Sequence, residues 1–408
     1  MRTVVSKLIC YSNISNIIIP GTFMSSSRAF SVGLTSSCRK YPVIKKIFNP
    51  IRDSKNFSIR MQGDIIQKRW SHYKAAVLKE IGKELEILER SRPKLKETEV
   101  RIKVRCCAVN VADTLICSGK YDQEPKLPFI PGYEFSGEVL ETGSKVKNLS
   151  VGDKVIGLNK DTFSAMATEC LSEERDLWKI PQDVAFDSAA ALVDSYATVL
   201  IAARRANLRE GNLLFFLSLI RDTVLVTVAA GGLGLAAVDL ASNLFNAKVI
   251  GACDTEDKTS ILREKGAFST INYGKKDIVK TVMKETDNQG VKIVFDAVGG
   301  DTFEDCLQSI SPEGCIAVLG FSSRKIPQIL TSQLLPKSCA LIGISLTHYQ
   351  KMVSQTYRSS VQEVIDMYLD EFIDPHVAEE FKFKDVNDAI KHVEERKSAG
   401  KVILDVSS

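Results

Sequence analysis

Residues Thr223–Asp239 read TVLVTVAAGGLGLAAVD. The run TVLVTV is β-branched and apolar and predicts a buried strand, AAGGLG breaks it with glycine, and the apolar residues that follow predict a helix. Ala229, Gly231 and Gly234 fall on the positions of a G-x-G-x-x-G turn, with alanine at the first. Small residues there allow the tight turn, let backbone approach a pyrophosphate and bring helix against strand. The helix N-terminus meanwhile offers unpaired N–H groups to phosphate. The pattern predicts a dinucleotide-binding junction; the alternative is a plain tight turn.

Working outward, the chain on both sides supports the first reading. Downstream, strand and helix patterns alternate: Lys248–Ala252, Lys258–Gly266, Val291–Asp296, Thr302–Gln308 and Cys315–Gly320. Such alternation predicts a parallel sheet wrapped by helices. Upstream, Ser188–Ala203 is an alanine-rich helical stretch, and Tyr73–Val155 reads as short strands broken by Pro, Gly and Asn, with little helix. From Ala340 the pattern gives a strand, helices at Arg358–Tyr368 and Val386–Ser398, and a last strand Lys401–Val406. Asp254, twenty residues past Gly234, stands where an acid would bind an adenosine ribose 2′-hydroxyl and favour NAD(H). Lys258 and Tyr273 lie near enough to grip a 2′-phosphate instead. Asp254 reads equally as the N-cap of a helix over Thr255–Glu264.

Composition excludes other classes. With 44% apolar and 25% charged residues over 408, the chain is that of an ordinary globular protein of two domains. Its charge is uneven. Residues 1–70 hold twelve Lys and Arg against Asp53 and Asp64, a net +10, so the remainder, with 42 Lys and Arg against 48 Asp and Glu, stands at −6. That remainder has no overall basic surface for nucleic acid. The leader has eleven serines and no glutamate, the pattern of a mitochondrial presequence, a disordered basic tail being the alternative. Ten scattered cysteines without CxxC predict free thiols and neither a disulfide framework nor a zinc knuckle. No apolar run reaches the roughly 18 residues of a membrane span. Asn212–Arg221 (NLLFFLSLIR) is anomalously apolar and reads as an extra element covering a sheet edge or as sequence from an alternative transcript; the latter is favoured.

Several separated motifs together resemble the medium-chain dehydrogenase/reductase superfamily in its zinc-free quinone oxidoreductase branch, over about residues 73–408. They are Asn110–Asp113 (NVAD), Gly119–Tyr121 (GKY), Leu127–Gly137 (LPFIPGYEFSG), Val151–Val155 (VGDKV), Ala189–Leu192 (AAAL), Ala229–Gly234, Ile271–Tyr273 (INY), Asp296–Gly300 (DAVGG), and Arg396 with Gly400–Lys401. The resemblance implies an α/β protein: a GroES-like β-rich catalytic domain over 71–195, a Rossmann doubly wound parallel-sheet domain over 196–340, and a return segment, 341–408, completing the first. Zinc dehydrogenases place a Cys and a His ligand where this chain aligns Asn110 and Tyr133, both poor zinc ligands, so no metal is expected.

The resemblance also assigns roles. Gly231, Gly232, Leu233 and Gly234 would hold the pyrophosphate; Lys258 and Tyr273 match contacts to an NADPH 2′-phosphate; Thr198, Gly320 and Phe321 would flank the nicotinamide. Arg396 falls in a family motif at the cofactor, and Asn110 and Tyr121 match cleft positions beside hydride transfer. Plainer readings stand beside these: a core role for Tyr121, turn capping for Asn110 and Asp113, a structural Glu134, and solvated Arg396 and Lys401. The chain departs from the family at Asp254, at Val193–Asp194 where Pro and an apolar residue are usual, and at Asn212–Arg221. The expected activity is NADPH-dependent hydride transfer, with NADH as second donor, to a quinone or enone in the mitochondrial matrix. Reduction of 2-enoyl thioesters with Tyr121 as proton donor is the alternative enzyme. A weakly catalytic NADPH-binding sensor or RNA-binding protein is the rival class, and the −6 charge argues against the RNA version. The partner is a small electrophile, and the family implies a homodimer through the Rossmann sheet edge.

Overall fold

The computed structural model describes residues 72–121, 124–209 and 221–407. The basic leader and residues 212–220 of the apolar segment lie outside the described residues.

The chain begins with β1 (His72–Val77), β2 (Glu86–Ser91), β3 (Glu99–Val109), α1 (Val111–Cys117), β4 (Glu134–Thr142), β5 (Lys154–Leu158), β6 (Glu169–Glu173) and β7 (Leu177–Lys179). A long helix, α2 (Phe186–Arg205), leads into β8 (Thr223–Val226), α3 (Gly232–Asn243), β9 (Lys248–Cys253), α4 (Thr259–Glu264), β10 (Ser269–Asn272), α5 (Ile278–Glu285), β11 (Val291–Asp296), α6 (Thr302–Ser309), β12 (Ile310–Val318) and β13 (Ala340–Gly343). Then come α7 (Leu346–Met352), α8 (Ser354–Leu369), β14 (Val377–Lys382), α9 (Val386–Glu394) and β15 (Lys401–Asp405).

The second series forms a six-stranded parallel sheet in the order β10-β9-β8-β11-β12-β13. Counted from its first strand this is 3-2-1-4-5-6, the doubly wound order whose reversal between β8 and β11 opens a crevice at the strands' C-terminal ends. The first series, completed by β14 and β15, forms a mostly antiparallel sheet, β14-β15-β3-β4-β5-β7, with β6 beside β3 and a separate β1-β2 hairpin. The return of the chain is visible in register. β15 pairs antiparallel with β3, Val402 opposite Val109 and Leu404 opposite Cys107.

Helix α2 is apolar because both sheets cover it. Ala190 and Ala191 pack on Cys106, Ala108 and Ile403 of one sheet, while Leu192, Val199 and Leu200 join the core containing Val224, Val226 and Val238. Over 20 residues it is long and apolar enough to cross a membrane, and its burial among the two sheets accounts for that composition. Its Tyr196 hydroxyl donates to Asp239 of α3 at 2.5 Å, a polar tie within the core.

Some elements differ from the sequence expectation. The segment after Asn110 is a helix, not a bare turn, because Asp113 accepts the Asn110 N–H at 2.9 Å and closes its first turn. Strand β6, strand β10 and helix α5 also go beyond the expected elements; each is short, and tertiary pairing supplies what local pattern lacks. The eight cysteines among the described residues are free and buried.

Candidate active site

The glycine-rich turn is built as its spacing requires. Gly231 is the extended N-cap of α3, and a Cβ on Gly234 would lie 2.0 Å from the Val228 carbonyl oxygen, so no larger residue fits. Ala229 donates to the Ala252 carbonyl at 2.8 Å, which fixes the turn beside β9. Gly232, Leu233 and Gly234 form the first turn of a 12-residue helix, whose N–H groups have no partner within the helix. The cradle fits a pyrophosphate.

Beyond β9, helix α4 starts at Thr259 with Lys258 as its N-cap residue, so Asp254 does not cap it. Asp254 is instead paired with Lys258. The Lys258 ammonium donates to both Asp254 oxygens, at 3.0 and 3.3 Å, and to the Arg396 carbonyl at 2.9 Å. Tyr273 stands close by, its backbone N–H on Cys253, and burial followed by the Asp254 charge pushes its hydroxyl above the ordinary tyrosine value. Arg396 is exposed, with its guanidinium on the Ser322 carbonyl, and so joins this region to the loop carrying Gly320 and Phe321. That loop is held from the other side as well. Asp296 accepts from Thr227 Oγ1 at 2.8 Å and from the Val298 N–H at 3.0 Å, and Ser323 Oγ donates to the Val298 carbonyl at 2.7 Å.

Between the sheets lies a buried charge network. Lys401 Nζ donates to Glu134 Oε2 at 2.6 Å and Asn110 Oδ1 at 2.7 Å, and Asn110 Nδ2 donates to Glu134 Oε2 at 3.0 Å. Glu134 Oε1 accepts the Asp194 backbone N–H at 2.9 Å. The Asp194 carboxylate takes Lys160 Nζ at 2.5 Å on one oxygen and the Tyr133 hydroxyl at 2.9 Å on the other. Burial pushes the Asp194 carboxyl up, but the Lys160 and Lys401 charges outweigh it and hold it below the usual carboxylate range. Beneath the network Asp113 accepts from the Asn110 and Gly132 N–H groups, at 2.9 and 2.8 Å, and burial raises its pKa to about 7.

The network abuts the glycine-rich turn directly. Gly400 donates to the Ala230 carbonyl at 2.9 Å, and a Cβ on Gly232 would lie 2.9 Å from Lys401 Cδ. Thr198, one turn after Asp194 on α2, is buried and bonds the Asp194 carbonyl at 2.7 Å. Gly320 and Phe321 line a cavity of about 410 Å³ with His348 and Tyr349 of α7. Tyr121 is 39% exposed on the loop after α1.

Comparison with known proteins matches this arrangement. Residues 96–200 fit the alcohol dehydrogenase GroES-like domain, and residues 232–367 the zinc-binding dehydrogenase domain. The quinone oxidoreductase-like protein 2 homolog of Nematostella vectensis is 42% identical over 335 residues, covering 81% of this chain and 88% of that protein. The chain belongs to the medium-chain dehydrogenase/reductase family. Among solved structures, quinone oxidoreductase of Pseudomonas syringae pv. tomato DC3000 superposes with a TM-score of 0.72 at 26% identity, over 82% of this chain and 100% of that one. Escherichia coli quinone oxidoreductase complexed with NADPH gives 0.70 at 26%, over 82% and 99%.

As a medium-chain dehydrogenase/reductase the chain is a GroES-like domain joined to a Rossmann sheet, and an oxidoreductase. Asn110 lies in this buried network, and the weight of its four charged members, Lys401, Glu134, Lys160 and Asp194, is not apparent from the sequence. Lys401 is 5% exposed within β15 and is no solvated helix-end cation; Glu134 is fully buried beneath it. Lys160 carried no signal, since a lysine in a loop is ordinarily a solvent group. Asp194 signalled itself only as a departure from the family pattern.

Proposed function

We propose that this protein is a nicotinamide-dependent, metal-independent reductase that transfers hydride to a quinone or another conjugated carbonyl. One observation carries the metal-free part. Asn110 and Tyr133, at the family's zinc-ligand positions, are bonded into a cluster that already contains the Lys401 and Lys160 ammonium groups. A divalent cation there would face two positive charges.

The cofactor reading rests on the α3 cradle and on the fold. When bound, the dihydronicotinamide supplies the hydride, and NADPH is the proposed donor because Lys258 and Tyr273 stand at the adenosine ribose end. Gly231–Gly234 hold the pyrophosphate. Thr198, Gly320 and Phe321 would orient the nicotinamide ring, and positioning is most of what such a transfer requires of the protein. Lys401 fixes Asn110 and Glu134 beside the glycine-rich turn. The acid-poor basic leader supports a mitochondrial matrix location for this activity.

The test is oxidation of NADPH and NADH by the purified chain against quinones, enones and 2-enoyl thioesters, with and without chelator. Turnover with a quinone or enone, indifferent to chelator, is expected. Turnover confined to enoyl thioesters moves the substrate class, and activity lost to chelator and restored by zinc refutes the metal-free reading.

A further inference from the structure

Two lysines enter the cleft network, and they are partnered unequally. An ammonium has three N–H donors. Lys401 gives two of its donors to Glu134 and Asn110, in a side chain 6% exposed. Lys160, 12% exposed, has one hydrogen-bond acceptor among the described residues, Asp194 Oδ1 at 2.5 Å, and its Nζ lies 4.1 Å from the centre of the Tyr133 ring. Beyond Asp194 and the face of the Tyr133 ring, this nearly enclosed ammonium keeps donor capacity that no acceptor among the described residues takes up.

That place adjoins the Asn110–Glu134 network through Asp194, whose backbone N–H bonds Glu134. The loop holding Lys160 is braced by Asn159, whose side chain accepts from Ser172 Oγ at 2.6 Å and donates to the Leu171 carbonyl at 2.9 Å. Asp161 next to it pairs with Lys351 of α7 at 2.8 Å. Helix α7 also supplies His348 and Tyr349 to the cavity bounded by Gly320 and Phe321. Lys160 thus stands between the Asn110–Glu134 network and the helix that forms the cavity wall. Its partner Asp194 is one of this chain's own departures from the family pattern. An apolar residue at 194 would leave the ammonium without a counter-charge, and burying it would then be costly.

We propose that Lys160 is the oxyanion-binding group of the reaction, its ammonium held by Asp194 and aimed at the carbonyl oxygen of the acceptor. This rests on the hydride-transfer reading above. As hydride forms a C–H bond at the conjugated carbon, the acceptor's π electron pair moves to oxygen, giving an enolate; from a quinone this enolate reaches the hydroquinone by exchanging the ring C–H proton with water. The remaining donor capacity of Lys160 hydrogen-bonds that enolate oxygen. Lys160 keeps its proton, and solvent water protonates the product. A fixed, partly desolvated ammonium does not have to reorganise when the charge appears, and groups of this kind contribute about 10²–10³ in rate.

The experiment uses 4-nitrophenol, whose coloured phenolate imitates the developing anion. It is titrated by absorbance against pH on the full chain with oxidised cofactor present. In the wild type and in Lys160→Arg the bound phenol should ionise about one pH unit or more below its value in water, as expected for a charge-assisted hydrogen bond. In the double variant Lys160→Met/Asp194→Asn, which removes both charges and leaves no orphan carboxylate, the shift should vanish. In turnover the double variant should lose about 100-fold in kcat with cofactor affinity unchanged, and Lys160→Arg should restore most of it. A wild type that binds no phenolate, or binds it with an unshifted pKa, overturns the proposal, as does a double variant of undiminished kcat. A Lys160-dependent phenolate shift in a protein that reduces no quinone or enone supports the anion site and refutes the hydride-transfer reading instead.

Discussion

Two lysine–aspartate pairs, Asp254–Lys258 and Lys160–Asp194, are set in different parts of the molecule and built on opposite plans. In the first, the partners are four residues apart, and Lys258 spends its donors on both carboxylate oxygens and the Arg396 carbonyl. In the second, the partners are 34 residues apart, brought together by the β5–β6 loop and α2, and Lys160 meets one oxygen. A saturated lysine is a structural clip that a ligand must compete for. A lysine with donors to spare is a binding group waiting for an anion. The contrast predicts that changes near Lys258 shift cofactor choice, while changes in the cleft shift chemistry and stability.

The severest test of the contrast is Lys401, the more fully partnered lysine of the cleft itself. Lys401→Met leaves Glu134 buried and unpaired and should cost about 3–5 kcal/mol of stability in denaturant unfolding. Lys401→Met/Glu134→Gln should recover much of that loss. If the single variant is as stable as wild type, the network does not carry the charge balance described here.

Asp113 gives the next effect. Its carboxyl ionises at about 7 in the folded chain instead of 3.8, so between those values the folded state holds a proton the unfolded state has lost. Stability from this group is therefore greatest at the acid end of the window and falls as pH rises through it, by up to about 1.4 kcal/mol per pH unit. Unfolding midpoints across that range should show a shallower fall in Asp113→Asn than in wild type.

How much of this could be read in advance follows the same division. The glycine-rich turn and the strand–helix alternation are local in sequence, and period and spacing are enough to place them; Asp254 reads equally as a ribose ligand or an N-cap, and the structure pairs it with Lys258 instead of capping α4. Helix α1 was hidden because VADTLIC lacks a long helical period and depends on Asp113 folding back onto Asn110. Lys401 read as a surface cation because it follows a helix end; only the pairing of β15 between β14 and β3 buries it. Lys160 looks unremarkable alone and Asp194 stands out only as a departure from the family pattern; the pair exists only once α2 is packed against the first sheet.

A smaller effect is expected at the adenosine end. Asp254→Gly frees Lys258 from its carboxylate and should raise the ratio of NADPH to NADH affinity by about tenfold, the weight of one charge-assisted hydrogen bond near 1.5 kcal/mol. Lys258→Ala should lower that ratio with little change in NADH binding. Fluorescence titration with both cofactors measures each; an unchanged ratio in both variants would place the pair away from the ribose. The smallest effect is on stability. Asp254→Gly breaks an i,i+4 pair whose carboxylate is 32% exposed, and loss of the pair itself should cost no more than about 0.5 kcal/mol, in contrast to Lys401.

Hydride transfer between cofactor and acceptor is the central claim, and isotopic labelling tests it most directly. The chain is given dihydronicotinamide cofactor carrying deuterium at C4 on the transferred face, together with a cyclic enone, and the product is examined by mass spectrometry. The account predicts one deuterium bound to the conjugated carbon of the reduced product and none at that carbon when the label is supplied in the solvent. Product formed without cofactor-derived deuterium, or a chain that binds cofactor and reduces neither enone nor quinone, would contradict it.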